Sequence, residues 1–346
     1  MVPAFPVNRR LKYLYGLKYA YYQRRGLTYW PDREPFYLRS LAWQIERRVR
    51  QTKADFLFSP GSLAIAALRI DVPKIFCADA TFANVLEFYG SFQNCAEEFI
   101  RQGHEQERKA LDNCTMAIFP SEWAAQTAMA YYGAACEKVH VIPFGANIEA
   151  LPRDVILRAI EGRRFDRFHL LFVGRDWYRK GADVVLATCA HLHRLGFPIT
   201  LDLVGIAEPP VPVPPYVTLH GLLSPSDAGQ RQRLESLFCN AHVLFVPSRA
   251  ENFGMVFCEA AAFGVPSVAT ATGGIPTIVR EGITGAALPQ DSLPETFAQT
   301  IGQLLSDPVR YRRLALSSRD EYEARLNWRT FAQRFFEHAQ RIGLTV

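Results

Sequence analysis

The strongest constraint on the fold is an alternation that runs the length of the chain. Short apolar runs at residues 54–58, 74–78, 115–120, 139–142, 169–173, 199–204, 217–220, 242–246 and 267–270 are each followed by turn residues and in most cases by a segment with helical spacing, a proline-rich connection at 208–216 leading directly from one run to the next. Runs this short, bounded by Gly, Pro, Asp or Ser, read as strands, and the longer segments between them as helices. Strands separated by whole helices cannot close as hairpins, so they pair in parallel, in sheets covered by helices on both faces. At 346 residues the chain exceeds a single core, and the alternation occurs twice, on either side of a charged, weakly patterned segment at 147–168. The expected fold is α/β, with two Rossmann-like doubly wound domains at 1–147 and 148–327 facing a cleft and ligand loops at the C-terminal ends of the strands. Beyond residue 274 only helices are expected, the last carrying Trp328, Phe331, Phe335 and Ile342 on one face.

Composition narrows the class. With 49% hydrophobic and 21% charged residues the chain is of the soluble globular kind. No run approaches the roughly 18–20 apolar residues of a membrane-spanning helix, and the start MVPAFPVNRR lacks a secretory apolar core, so a cytoplasmic location is expected. Seven scattered cysteines with no C-x-x-C pair point to reduced thiols rather than disulfides or a metal site. The net charge of +5 is unevenly placed: residues 1–54 hold twelve Lys or Arg against three acids, interleaved with ten tyrosines, tryptophans and phenylalanines between Tyr13 and Trp43. Such a segment packs its aromatics inward under solvated basic side chains, or lies on the inner face of a membrane. Nucleic acid is not an expected partner.

Three stretches carry ligand chemistry, each following a strand of the second series. Val173-Gly174-Arg175-Asp176-Trp177-Tyr178-Arg179-Lys180-Gly181 combines a turn glycine with a forked and a point cation, the two complementary ways of holding a phosphate. Glu251-Asn252-Phe253-Gly254-Met255-Val256-Phe257-Cys258-Glu259 sets two carboxylates around a glycine at a loop-to-helix junction. There the helix N-terminus favours an anion and Gly254 permits close approach. Thr272-Gly273-Gly274 is the third. In a parallel sheet these strand ends share one rim. Cations for a diphosphate, a carboxylate for a ribose hydroxyl and glycines for close approach describe a nucleotide-diphosphate pocket.

In this order and spacing, VGRDWYRKG, PSRAENFGMVFCEA and FGVPSVATATGGIP resemble the retaining glycosyltransferases of family 4, which have the GT-B fold. The E-x7-E pair is the most specific element, and VIPFGAN and PSEWAA extend the resemblance towards Asp55. It implies transfer of a hexose-type sugar from a nucleotide-diphosphate sugar, a UDP- or GDP-sugar, to a glycan, lipid-linked or small-molecule acceptor, with retained anomeric configuration and without a metal or other cofactor. Carried onto this chain, Arg175 and Lys180 would hold the diphosphate beside Gly174, Glu259 the ribose, and Glu251 the hydroxyls of the donor sugar. The amides around Gly254 and Met255 would face sugar and phosphate, with Asn252, Phe253 and Val256 lining the same site, and His220-Gly221-Leu222 would approach the base. The last helix, 328–346, would return to the first domain.

Two departures from the family pattern have consequences. Where members place a histidine at the end of the strand 74–78, this chain has Asp79. A carboxylate there can bond a sugar hydroxyl or cap the turn at Thr81, but its ordinary pKa makes it a poorer proton shuttle. The family's opening strand and glycine-rich loop do not precede Arg9, which describes a shortened member or one in which the basic–aromatic segment replaces them. Two other functions share the pocket: a GT-B nucleotide-sugar epimerase or hydrolase, for which Asp79, Glu87 and His104 are the available acid–base candidates, and a donor-binding protein with impaired catalysis.

Overall fold

The computed structural model describes residues 9–86, 88–149 and 151–344. The chain divides into two compact units, one reaching to Ile142 and resuming at Phe336, the other spanning Pro143–Phe335. The expected missing strand and loop ahead of Arg9 fall on residues 1–8, and Glu87 is likewise outside the described residues.

The first unit is built on four parallel strands, β1 (Leu57–Ser59), β2 (Lys74–Cys77), β3 (Met116–Phe119) and β4 (Val139–Val141), paired in that order. β3 is buried along its whole length, as a strand covered on both faces requires. The helix Glu97–Asn113 lays Phe99, Gly103, Ala110 and Leu111 against this core. Gly103 makes room for the Phe82 ring, whose Cε1 would lie 2.1 Å from a Cβ there. The helix after β1 is short, Leu63–Ala66, and Ser62 at its N-cap position makes no capping hydrogen bond. Its hydroxyl donates instead to Glu107 Oε2 at 2.9 Å.

The basic–aromatic segment buries some of its aromatics and leaves others exposed. Tyr29 is fully buried, packing with Phe82 and Phe99, with Trp30 beside them. Arg33 places its guanidinium over the Phe82 and Phe99 rings, 4.7 and 5.2 Å from their centroids. Lys18 bridges Glu34 and Glu98, and Tyr22 donates to Glu98 at 2.8 Å. Tyr13, Leu14, Leu17 and Tyr21 on the helix Arg9–Gln23, and Phe36 and Trp43 on the helix Pro35–Thr52, remain exposed.

The second unit holds six parallel strands: β5 (Phe168–Val173), β6 (Ile199–Val204), β7 (Val217–Gly221), β8 (Val243–Val246), β9 (Ser267–Thr270) and β10 (Gly285–Leu288). Their spatial order is β10-β9-β8-β5-β6-β7. β10 corrects the expectation that helices alone follow residue 274. Its Gly-Ala-Ala-Leu run is too short and small to signal a strand, and it forms because β9 offers an open edge. Gly285 is required there, since a Cβ would lie 1.7 Å from the Ser267 carbonyl oxygen. The charged segment 147–168 contains a further helix, Arg153–Gly162, whose Ile156 and Ile160 are buried in this unit's core. Two buried apolar residues one turn apart in a helix with four charges leave little periodic signal, but they suffice once a core exists to receive them.

Candidate functional site

The order of the second sheet decides where a ligand fits. From β5 the chain builds outward through β6 and β7, then returns to place β8 on the other side of β5. The loops after β5 and β8 therefore diverge and leave a crevice at the C-terminal rim, the topological switch point of a doubly wound sheet.

The loop after β5 is shaped by close backbone packing. Gly174 donates to the Val204 carbonyl at 2.9 Å, and a Cβ on it would meet Lys180 Cγ at 2.9 Å. Gly205, at φ +98°, sits against the Gly174 carbonyl, so a side chain on it would collide at 2.4 Å. Asp176 closes the turn by accepting from the Arg179 amide at 2.9 Å. The loop ends at Gly181, the N-cap of the helix Ala182–Arg194, where φ is +74° and a Cβ would lie 2.2 Å from the Pro247 carbonyl oxygen. Only glycine fits this approach between the loops after β5 and β8.

On the other side, β8 runs into Pro247 and a fully buried Ser248, and the chain crosses the rim at Glu251. Gly254, at φ +91°, caps the helix Met255–Ala262, which leaves the first amides of that helix facing the crevice. Phe253 is buried against Phe144 and anchors the loop from below. Gly274 ties the third loop in, donating to the Glu251 and Asn252 carbonyls at 3.3 and 3.0 Å.

These loops bring Lys180 and Glu251 into a direct ion pair across the switch point, their side chains only 13% and 12% exposed. Arg179 reaches the same Glu251 oxygen at 3.8 Å and donates to the Ala250 carbonyl at 3.1 Å. Arg175 is exposed at the lip, with Asp176 beside it. Glu259 lies one turn into the helix. Burial raises its carboxyl above the ordinary range, and a hydrogen bond from the Asn147 amide and the charge of Lys180 oppose that rise. Asn147 also accepts from Trp328 Nε1 at 3.1 Å, so the stretch after β4 supports the carboxylate from outside its own motif.

At the end of β7, His220 Nε2 is 2.7 Å from Asp202 Oδ1, and its buried Nδ1 has no partner among the described residues. The His220 side chain is thus directed to the sheet, while the Gly221 carbonyl accepts from Gly205 at 2.7 Å and Leu222 is exposed. Asp79 belongs to the first unit, exposed just beyond β2. The helix that follows is capped by Thr81, in a reciprocal pair with Asn84. His104 is held by the Tyr132 hydroxyl at 2.9 Å, among the rings of Phe82 and Tyr131, and burial together with Arg108 lowers its pKa. Among the described residues no cluster of three or more His, Cys, Asp or Glu side chains is placed to hold a metal ion.

Sequence reasoning picked out Arg175, Lys180, Glu251 and Glu259 but passed over Arg179 and Asn147. For Arg179 the available signal was a second basic residue beside Lys180. Chemically, the crevice offers cations and helix amides to an anion, and carboxylates to hydroxyl groups.

Two family models match the chain, "Glycosyltransferase Family 4" over residues 4–150 and "Glycosyl transferases group 1" over residues 167–307. A D-inositol 3-phosphate glycosyltransferase of Xylanimonas cellulosilytica is 32% identical over 269 residues, covering 74% of this chain and 63% of the relative. Another, from Catenulispora acidiphila, is 34% identical over 206 residues, covering 55% of this chain and 49% of the relative. The alignments thus span about half to somewhat under two thirds of these curated relatives. Among solved structures, sucrose-phosphate synthase of Thermosynechococcus elongatus superposes with a TM-score of 0.68 at 20% identity, over 89% of this chain and 78% of that one. Anabaena Alr3699/HepE in complex with UDP-glucose gives 0.60 at 18%, over 87% and 82%. WaaG, a glycosyltransferase involved in lipopolysaccharide biosynthesis, gives 0.57 at 16%, over 87% and 81%.

Proposed function

The chain belongs to glycosyltransferase family 4, the glycosyl transferases of group 1, and has the GT-B fold, and from this we propose that it moves a hexose-type sugar from a nucleotide-diphosphate sugar to a hydroxyl acceptor with retention of configuration. The Lys180–Glu251 pair at the switch point of the second sheet carries the reading. An ammonium and a carboxylate held side by side suit a ligand that presents an anion and hydroxyl groups together, as a sugar diphosphate does. HepE, similar in fold and solved with UDP-glucose, favours a uridine nucleotide.

In this reading Arg175 and Lys180 bind the diphosphate with the amides after Gly254, Glu259 accepts from the ribose, and Glu251 accepts from the sugar hydroxyls. Asn252, Phe253, Met255 and Val256 line the same site, and the backbone of His220-Gly221-Leu222 receives the base. The bond from the anomeric carbon to the phosphate oxygen breaks while the acceptor oxygen bonds to the same face of that carbon. The acceptor proton passes to the departing diphosphate, so atoms and charge balance without a side-chain nucleophile. Negative charge grows on the leaving group, and fixed cations and helix amides stabilise it there. Asp79, just beyond the end of β2, offers a carboxylate to an acceptor hydroxyl.

The acceptor is presented at a membrane surface. Phe36, Arg39, Trp43, Arg47 and Arg50 are all exposed and fall on one face of the helix Pro35–Thr52. Aromatic rings flanked by arginines match an anionic bilayer interface. Among the described residues no helix is long and apolar enough to cross a membrane, and the contact we propose is a peripheral one. Sedimentation with phosphatidylglycerol vesicles tests it: wild type pellets, and F36S/W43S stays in the supernatant.

The donor assignment is tested by thermal protection and nucleotide release with UDP-, GDP- and ADP-sugars. One donor protects the wild type, and Lys180→Met loses that protection; equal protection in both would overturn the site.

A further inference from the structure

Residue 249 gathers four strand-end loops at one point. Its amide donates to the Arg179 carbonyl at 2.7 Å, in the loop after β5. Its carbonyl accepts from Gln290 Nε2 at 3.0 Å, just beyond β10, and from Thr272 Oγ1 at 3.5 Å, beyond β9. Its guanidinium grips Asp183 through two parallel hydrogen bonds of 2.8 and 2.7 Å and lies 3.9 Å from the centre of the Tyr178 ring. It also donates to the Tyr178 carbonyl. Asp183 stands in the first turn of the helix that Gly181 caps. Burial works against its charge, but the bonds and charge of Arg249 outweigh that and hold its carboxyl below the ordinary range.

The sequence spacing gives this contact its consequence. Arg249 lies two residues before Glu251, and Tyr178 lies two before Lys180. Whatever fixes Arg249 against Tyr178 and Asp183 therefore fixes how far the Lys180 loop stands from the Glu251 loop. A planar fork on a carboxylate defines both distance and orientation, which a lysine in its place would not. The pair is also partly open, with side chains 32% and 40% exposed. Ion pairs in that setting add little to global stability, so the geometry it imposes is the more consequential role.

We propose that the Arg249–Asp183 pair is the positioning device of the donor pocket, holding the loop 174–181 against the loop after β8 so that Lys180 and Glu251 meet at the switch point. Neither residue touches the donor; both act through Lys180. The inference rests on the donor-binding reading above and makes a separate demand on it. A displacement of about 1 Å in a binding group costs on the order of 10²-fold in rate, so the effect is measurable.

The test is a double-mutant cycle on kcat/KM for the UDP-sugar, or on donor-induced thermal protection where turnover is too slow to follow. Arg249→Lys and, from the opposite loop, Asp183→Asn should each lower kcat/KM roughly 10- to 100-fold while leaving the ligand-free Tm nearly unchanged. In a Lys180→Met background the same substitutions should add little, because what they position is gone. The exchange Asp183→Arg with Arg249→Asp should recover part of the loss. Wild-type kcat/KM in both single variants would overturn the proposal, as would effects that multiply in full with Lys180→Met, which mark a structural role only. Undiminished donor protection in Lys180→Met alone would instead bring down the donor reading itself.

Discussion

The two ends of the second sheet carry similar residues to opposite purposes. At the N-terminal end Arg163 spends its guanidinium on the protein's own backbone, with Nη1 on the Gly264 carbonyl at 2.6 Å and the Tyr311 hydroxyl at 3.0 Å, and Nη2 on the Phe263 carbonyl at 2.9 Å. His242 accepts from the His169 amide at 3.1 Å and donates to the Arg164 carbonyl at 2.8 Å, and Tyr311 donates to the His242 carbonyl at 2.9 Å. That network is closed. At the C-terminal end Lys180 and Glu251 are paired with each other, Arg175 faces solvent, and Glu259 meets the Asn147 amide and the charge of Lys180. Charged side chains that saturate backbone groups stabilise a fold, and those with coordination to spare are placed for a ligand.

Four measurements can break or sharpen that contrast. The largest effect belongs to the closed end: Arg163→Ala leaves several buried acceptors unpaired and should cost roughly 3–5 kcal/mol in denaturant unfolding. Donor affinity of the protein that remains folded should be unchanged; a selective loss of affinity would erase the distinction between the ends. Next comes acid sensitivity. Burial holds the His242 imidazole down to about 4, so the folded state binds its proton more weakly than the unfolded chain does. Its contribution is complete above about pH 6.5 and fades as pH falls towards 4, on the order of 3 kcal/mol in all. His242→Gln should flatten the stability profile across that window.

At the open end the expected signs differ. Lys180→Met should lower turnover about 10²-fold, with a smaller loss of stability from leaving Glu251 buried beside Arg179 alone. The smallest effect is also the most diagnostic. Because burial raises the Glu259 carboxyl in the folded state, its favourable contribution is present at low pH and is lost as pH rises through the folded value. Glu259→Gln should therefore raise the Tm at neutral pH while weakening donor binding about 10-fold. A variant that loses stability and keeps affinity would assign Glu259 to the fold.

Much of this was legible in the sequence. Nine of the ten strands follow from short apolar runs between turn signals, and the parallel pairing follows from the helices between them. Lys180, Glu251 and Gly254 were legible because strand-end loops in such a sheet converge on one rim. β10 was not, since four small residues acquire strand character only from the edge of β9. The helix Arg153–Gly162 was hidden by its charges, and His220, read as part of a base-binding loop, turns its ring to Asp202.

By itself, then, the sequence determined local matters: which segments extend, which coil, and which loops carry cations, carboxylates and glycines. These are decided by periodicity and backbone freedom within a few residues. Only the tertiary structure decided who meets whom. Lys180 and Glu251 are 71 residues apart, and Arg249 reaches Asp183 across 66. Their pairing depends on β8 returning to the side of β5 opposite β6, a long-range choice settled by burying apolar strands against each other.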